Sequence, residues 1–199
     1  IADEVMTGFC RTGKTFAVEH WGVTPDLMTM AKGITSAYFP VGVLAIGDRV
    51  WEGMQGQVEE GHTYSAHPVG MAVAIAAMEI YRRDKIADHV AAVSAHLLER
   101  ARNELLPLAC VGDVSGLGFM GAIDIVADKE TKRPFDPSVQ VIDWIKAEAL
   151  KQGLLMRGAT IDEGIGDRVV WSPPLIVTVE QVDWALDVLK SILGELKPN

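Results

Sequence analysis

Lys32 is the first residue whose setting suggests chemistry. It follows a short run of little polarity at residues 27–31 and stands directly before Gly33, rather than on a solvated charged face. A lysine withdrawn from water loses proton affinity and becomes a nucleophilic amine, which is suited to forming a Schiff base with a carbonyl group. A structural lysine whose ammonium group reaches solvent is the alternative.

Asp3 is the residue that matches Lys32. It lies 29 positions earlier, within residues 1–5, which have the pattern of the end of a buried strand. In α/β sheets, ligands gather in the crevice at the carboxyl ends of strands. A carboxylate there needs a positive partner, because an unpaired buried charge is very costly. That partner is either a protein base or a cofactor.

Two weaker motifs lead to no site. Residues 116–121 have the G-x-G-x-x-G spacing of a dinucleotide site, which needs a strand before the glycines and a helix after them. Here polar residues precede and a strand follows, so the motif indicates a tight turn. His62 and His67 lie near two glutamates but form no H-E-x-x-H helix. They indicate a polar loop, and we predict no metal site.

Composition excludes several classes of partner. The net charge of -9 over 199 residues argues against nucleic acid. The longest strongly apolar stretch, residues 71–78, is far shorter than the ~20 residues of a membrane span, so no membrane is expected. Cys10 and Cys110 match no metal spacing, which predicts unpaired thiols, a reducing compartment and a cytoplasmic location. The opening without an initiator methionine predicts that further polypeptide precedes residue 1.

Alternating strands and helices predict an α/β fold with a boundary near Pro107. Thr178, with Gln181 three residues later, is typical of a capping box that opens the final helix. The predicted strands are residues 1–5, 40–47, 119–126, 154–157 and 169–171. One predicted helix begins at Pro68, and three others cover residues 86–105, 139–152 and 178–196.

Several segments together resemble a known family. In chain order they are residues 3–13, 25–27, 31–33, 40–42 and 61–68, then Arg157 and residues 172–175. They closely resemble the signature of class III, or ω-amino-acid, aminotransferases, including the 29-residue step from Asp3 to Lys32. The resemblance spans nearly the whole chain. It implies fold type I of the pyridoxal-phosphate enzymes (aspartate aminotransferase-like), with residues 1–106 as the latter part of the large domain and 107–199 as the C-terminal small domain.

The resemblance also implies roles for individual residues. Asp3 would bond the protonated pyridine nitrogen of pyridoxal 5'-phosphate (PLP) and keep the ring cationic. Lys32 would hold the cofactor as a Schiff base and act as general acid/base. Val5, two residues after Asp3 and so on the same strand face, would pack against the ring, and an ordinary core valine is the alternative.

The resemblance also has implications for three residues outside the Asp3–Lys32 pair. Thr63 matches the threonine that reaches the cofactor phosphate of the neighbouring subunit, which implies a homodimer. Arg157 matches an arginine that binds substrate carboxylate through its bidentate fork, with a solvated strand-end arginine as the alternative. Cys10 stands where the family usually has glycine and could constrain the turn, because glycine tolerates positive φ far better. The family's N-terminal half has no counterpart here.

The activity implied is transfer of an amino group between an amine or ω-amino acid and a keto acid such as pyruvate. A related PLP enzyme that starts from the same cofactor, such as an aminomutase, racemase or decarboxylase, is the nearest alternative. A catalytically silent fragment or structural subunit is the alternative from another class. An active site would need the N-terminal portion that this chain lacks.

Overall fold

The computed structural model describes residues 1–54, 61–161 and 166–197 of the chain. The chain divides into two compact units, Ile1–Ala91 and Ala92–Asn199. The division lies within one long helix, Ile86–Glu104, whereas the sequence placed the domain boundary near Pro107, just beyond the end of that helix. Each unit has a sheet of its own.

The first unit contains a three-stranded sheet. Its strands are β1 (Ala2–Asp3), β2 (Leu27–Met30) and β3 (Val43–Ile46), with β1 parallel to β2 and β2 antiparallel to β3. Short 3-10 helices follow at Ala17–Trp21 and Lys32–Thr35. The α-helices are α1 (Asp48–Gly53), α2 (Pro68–Arg83) and the first part of α3 (Ile86–Glu104). The sheet therefore joins segments that extend from Ala2 to Ile46 of the chain.

The core of the first unit forms where α2 meets the turns around β2. Its buried members are Phe9, Met30, Ile34 and Ala74, and Tyr81 is among the partly buried residues packed on them. The helix α2 begins where the sequence predicted, because Pro68 suits a first helical turn that needs no N–H donor. His67 caps this helix, with its Nδ1 accepting a hydrogen bond from Val69 N at 3.3 Å.

The second unit contains a four-stranded antiparallel sheet in the order β4-β5-β7-β6. Its strands are β4 (Val111–Leu117), β5 (Met120–Ile125), β6 (Arg157–Ile161) and β7 (Gly166–Trp171). Its further helices are α4 (Val141–Lys151) and α5 (Val179–Glu195), and α4 packs against β6, β7 and α5. The largest fully buried side chains of this unit include Leu105, Phe119, Ile123, Ile125, Ile145, Ile192 and Leu193.

The capping box predicted for the final helix is confirmed. Gln181 N donates to Thr178 Oγ1 at 3.3 Å, and Thr178 N donates to Gln181 Oε1 at 3.0 Å. The tight turn predicted for residues 116–121 is also confirmed, since β4 and β5 form a hairpin whose turn includes Gly118 at φ 59. The dinucleotide alternative therefore lacks the helix that it requires.

Several local predictions differ from the structure. The sequence analysis did not predict the strand β2 (Leu27–Met30), and the strand predicted for residues 1–5 covers only Ala2–Asp3. The sequence analysis missed β4, because glycines interrupt the strand and polar Asp113 and Ser115 occupy its outward positions. The predicted strand at residues 154–157 is wrong for its first three residues, since β6 begins only at Arg157. β3 is an edge strand rather than a buried one, and Leu44 is 54% exposed.

Within the described residues, no helix combines the length and the apolar composition needed to span a bilayer.

Candidate functional site

Asp3 and Lys32 lie at the carboxyl ends of two neighbouring parallel strands, β1 and β2. Asp3 is the last residue of β1 and pairs in register with Thr29 of the parallel strand β2. Lys32 comes two residues after Met30, where β2 ends. Because parallel neighbours end at one edge of a sheet, both side chains start from the place where α/β proteins bind ligands. Lys32 is exposed in this chain rather than withdrawn from water, and its charge is one of the influences that lower the pKa of Asp3.

The Asp3 carboxylate is held by two donors. Oδ1 accepts hydrogen bonds from Val5 N at 3.0 Å and from Thr29 Oγ1 at 3.1 Å. The bond from Val5 and then the bond from Thr29 lower the pKa of Asp3, desolvation opposes them, and the Lys32 charge lowers the pKa further. An exposed carboxylate with these donors stays ionised at neutral pH, so it is suited to pairing with a cationic group of a ligand.

Lys32 has an unusual backbone. Its φ is 43, in the left-handed region that non-glycine residues seldom adopt, and it follows the extended Ala31. The turn is closed by hydrogen bonds from Ile34 N to Ala31 O and from Ser36 N to Gly33 O, both at 3.1 Å. Backbone strain of this kind persists only where surrounding structure enforces it, and it is concentrated at functional sites.

The loop after β1 packs directly against the Lys32 turn. A Cβ atom placed on Gly33 would lie 2.8 Å from Phe9 Cβ, so only glycine permits this approach. Phe9 and Cys10 themselves have φ values of 59 and 77. Cys10 thus occupies the conformation for which glycine is better suited, as its place in the sequence pattern suggested.

Glu4 is a site residue that the sequence analysis missed. Its side chain is buried, with 2% of the residue exposed, although β1 ends one residue earlier at Asp3. Its carboxylate accepts hydrogen bonds from Ala17 N at 3.0 Å, Val18 N at 2.9 Å and the Thr7 hydroxyl. Glu4 therefore fastens the loop that carries Phe9 and Cys10 to β1.

Thr29 was also missed, although it lies in the run that leads to Lys32. The sequence signal was a single hydroxyl in an apolar strand segment, which indicates that something polar lies opposite. The structure identifies that partner as Asp3. Only the register between β1 and β2 brings the two side chains together.

Val5 lies elsewhere in the first unit than the sequence argument assumed, whereas Thr63 lies in a turn before α2. β1 ends at Asp3, so the reasoning that placed Val5 on the same strand face is wrong, and Val5 lies in the following turn with its N–H bonded to Asp3. Thr63 lies exposed in the turn at residues 63–66, where Ser65 N donates to His62 O at 2.9 Å. Among the contacts described for the chain, none joins Thr63 to Asp3 or Lys32.

Arg157 belongs to the second unit. It opens β6, pairs in register with Val170 of β7 and is exposed. It lies at a cavity of about 420 Å³ within that unit, lined mainly by apolar side chains that include Leu154, Met156, Trp171, Pro173 and Leu186. No carboxylate of the described ranges forms an ion pair with Arg157. A guanidinium beside an apolar cavity is able to bind a carboxylate attached to an apolar body.

Metal binding finds no support in the arrangement of ligands. In the part of the chain that the structure describes, no group of three or more histidine, cysteine, aspartate or glutamate side chains could hold a metal ion. His67 serves as a helix cap, as described above.

Curated relatives match almost the full length of the chain. The diaminobutyrate–2-oxoglutarate transaminase of Halomonas elongata is 40% identical over 189 residues, which cover 92% of this chain and 39% of that protein. The putrescine–pyruvate aminotransferase of Pseudomonas aeruginosa is 36% identical over 198 residues, which cover 98% of this chain and 42% of that protein. The chain thus spans about two-fifths of the length of these relatives.

Solved structures show the same fold. A transaminase from the marine bacterium Virgibacillus superposes with a TM-score of 0.89 at 34% identity, covering 96% of this chain and 44% of that one. An amine transaminase from an uncultivated Pseudomonas species, in a PLP-bound form, gives a TM-score of 0.85 at 34% identity and covers 96% of this chain and 43% of that one. The predicted fold class, part of an α/β fold-type-I PLP transferase, is confirmed.

The family model for class-III aminotransferases matches residues 1–193. Enzymes of this family depend on PLP, in agreement with the cofactor expected from the sequence. The chain belongs to the class-III aminotransferase family.

Proposed function

We propose that the intact protein is a PLP-dependent transaminase that moves an amino group between an amine or ω-amino acid and a keto acid such as pyruvate. The observation that carries the proposal is the pair formed by Asp3 and Lys32 at one sheet edge, with the carboxylate held ionised by Val5 N and Thr29 Oγ1. The relatives named for diaminobutyrate and 2-oxoglutarate and for putrescine and pyruvate support this class of donor and acceptor.

The residues present fit the cofactor. Asp3 offers a charged carboxylate that would bind a protonated pyridine nitrogen, and Lys32 offers a primary amine that would hold the carbonyl carbon covalently. When bound, PLP supplies a cationic ring that accepts electrons from the reacting substrate. Lys32 Nζ would then take the proton from the substrate carbon that carries the amine and deliver it to C4′ of the cofactor. Asp3 would keep the ring nitrogen protonated.

Three further residues complete the proposed site. Thr63 would donate its hydroxyl to the cofactor phosphate of a neighbouring subunit, and its exposure supports contact with another chain. Val5 would pack against the ring. Arg157 would bind the substrate carboxylate, supported by its place beside an apolar cavity.

The proposal includes further polypeptide around the first unit. The helix α2 has no charged side chain from Pro68 to Met78, yet Val69, Ile75 and Met78 are all exposed in this chain. A helix that is apolar on every side is normally buried. We propose that an N-terminal portion of the same protein and a second subunit of a homodimer cover this face.

The two parts of the chain have proposed places in the intact enzyme. Residues 1–106 would form the latter part of the PLP-binding large domain, and residues 107–199 the C-terminal small domain. Within the described chain, both cysteines are free and buried, which supports a reducing compartment such as the cytoplasm.

The test uses the full-length protein loaded with PLP, with absorbance spectra recorded before reduction and peptides analysed after reduction with borohydride. We expect a visible absorbance band that shifts on addition of amine, and a reduced cofactor attached to the peptide that contains Lys32, identified by mass spectrometry. Lys32→Ala should lose both signals. Lys14→Ala, which changes an exposed lysine, should keep both.

Product analysis then separates transfer from its alternatives. Incubation with an amine and pyruvate should form alanine, and alanine should not form without the keto acid. Conversion of the substrate without any keto acid would instead indicate an aminomutase, racemase or decarboxylase. A wild-type protein with no visible band and no labelled Lys32 would indicate a silent structural subunit.

A further inference from the structure

Tyr81 contacts the Lys32 turn from a distant part of the chain. It lies near the end of α2, and its hydroxyl donates a hydrogen bond of 2.7 Å to the carbonyl oxygen of Gly33. Gly33 directly follows Lys32, whose φ is 43. The same carbonyl also accepts from Ser36 N at 3.1 Å, so the peptide group between Gly33 and Ile34, one residue after Lys32, is fixed by one local and one long-range donor.

The ring of Tyr81 is itself held in place. It packs against the buried cluster of Phe9, Met30, Ile34 and Ala74, and its centroid lies 6.4 Å from that of Phe9. Phe9 in turn packs against Gly33, where no Cβ atom fits. The packing of the ring therefore keeps the hydroxyl within hydrogen-bonding distance of Gly33 O.

The hydroxyl remains a donor over the range in which the enzyme would work. Burial is the largest effect and raises the pKa of Tyr81, partly opposed by a hydrogen bond with the Ser36 side chain. A neutral phenol donating to a carbonyl oxygen contributes modestly when water competes, and more when the pair is shielded from water.

We propose that Tyr81 is a positioning residue for Lys32. It pins the carbonyl of Gly33, maintains the left-handed backbone at Lys32, and so sets the direction from which the amine reaches the carbonyl carbon of the cofactor. The proposal rests on the proposed function, since it assigns Tyr81 a part in the same site. Tyr81 would touch neither cofactor nor substrate.

The test compares Tyr81→Phe with wild type in the full-length, PLP-loaded protein. Phenylalanine keeps the ring in the core and removes only the hydroxyl. Loss of one hydrogen bond should speed PLP release by about two- to tenfold. The pH midpoint of the visible band should move by about half a pH unit or more, because the amine then meets the cofactor with less constraint. Tyr38→Phe, at a tyrosine that is 85% exposed, is the matched control and should match wild type in both measurements.

The outcomes separate the two proposals. A wild-type protein without a visible band and without labelled Lys32 would reject the proposed function itself. A normal wild-type band, together with Tyr81→Phe that titrates and releases PLP as wild type does, would reject only the positioning role. A lower melting temperature with unchanged titration, or a Tyr81→Phe protein that does not fold, would assign the hydroxyl to stability and also reject it.

Discussion

Asp3 shows how single hydrogen bonds prepare a carboxylate for its partner. Oδ1 takes both the Val5 N–H and the Thr29 hydroxyl, so the orientation of the group is fixed before any ligand arrives. Both donors favour the charged form, which is the form that can bind a protonated ring nitrogen. Thr29 thereby acts on the proposed cofactor site through Asp3, without needing to contact the cofactor.

Replacement of Thr29 by valine should remove one of the two hydrogen bonds that hold the Asp3 carboxylate ionised. Valine keeps the branched shape and removes the donor, so the pKa of Asp3 should rise towards its ordinary value. Asp3 binds a cationic partner only above its pKa, and the acidic limb of PLP binding should therefore move to higher pH in Thr29→Val. Titration of PLP affinity from about pH 3 to 6 measures the shift, because the ordinary pKa of an aspartate is about 3.9.

Thr15→Val is the control, since Thr15 is exposed and its side chain forms no described bond with Asp3. An unchanged acidic limb in Thr29→Val would show that the Thr29 hydroxyl does not tune Asp3.

At the scale of elements, a charged network joins α3 to α5 within the second unit. Arg100 of α3 pairs with Asp183 and Asp187 of α5, both at 2.8 Å, and with Glu104 at 2.7 Å. Lys190 adds a second cation to Glu104 at 2.9 Å. A network in which three carboxylates share Arg100 contributes more to the stability of the fold than isolated exposed ion pairs, which contribute little.

The network predicts acid sensitivity of the helix pair. The hydrogen bond from Arg100, followed by that from Lys190, lowers the pKa of Glu104 to about 2, and Arg100 with His96 also lowers the pKa of Asp183. Carboxylates with depressed pKa values stabilise the fold above their unfolded pKa, and that stabilisation disappears as pH falls through the folded value. The free energy of unfolding should therefore decrease between about pH 5 and pH 2.

Glu104→Gln should make that pH dependence shallower, because glutamine does not titrate. Urea unfolding at a series of pH values, followed by circular dichroism, measures it. Glu99→Gln on the same helix is the control, since Glu99 takes no part in the described ion pairs. Equal pH dependence in wild type and Glu104→Gln would contradict the role of the network.

At the scale of the whole molecule, the proposal that further polypeptide covers α2 depends on the exposed apolar face of this helix. Ile75, at mid-helix, is 55% exposed. The chain spans about two-fifths of its curated relatives, so a larger protein has ample polypeptide to cover such a face. Exposed apolar patches of this kind mark interfaces.

The variant Ile75→Lys in the full-length protein tests whether other polypeptide buries the apolar face of α2. A lysine placed in a buried interface without a partner should lower the free energy of unfolding by more than about 2 kcal/mol. Glu99→Lys, at an exposed position of the other long helix α3, should stay within about 0.5 kcal/mol of wild type. Thermal denaturation of both variants, with sedimentation to record the oligomeric state, measures the difference. Equal stability of the two variants would mean that α2 remains solvated in the intact protein.

The sequence alone determined which residues could do the chemistry and where most helices begin. Asp3, Lys32 and the family resemblance are read directly from residue types in order along the chain. The start of α2 at Pro68 and the capping box of α5 are likewise local, because a helix is stabilised by bonds between residues three or four positions apart. Neighbours in sequence are then sufficient to predict the element.

The tertiary structure alone decided which partners those residues have. Strand register brings Thr29 next to Asp3. The Glu4 carboxylate accepts a hydrogen bond from Ala17 N, 13 residues later in the chain. Tyr81 donates a hydrogen bond to Gly33 O, 48 residues away. The position of Val5 in a turn, rather than on the same strand face as Asp3, likewise depends on where β1 ends. Such contacts depend on how distant segments pack together, and packing is a property of the assembled core that no single segment encodes.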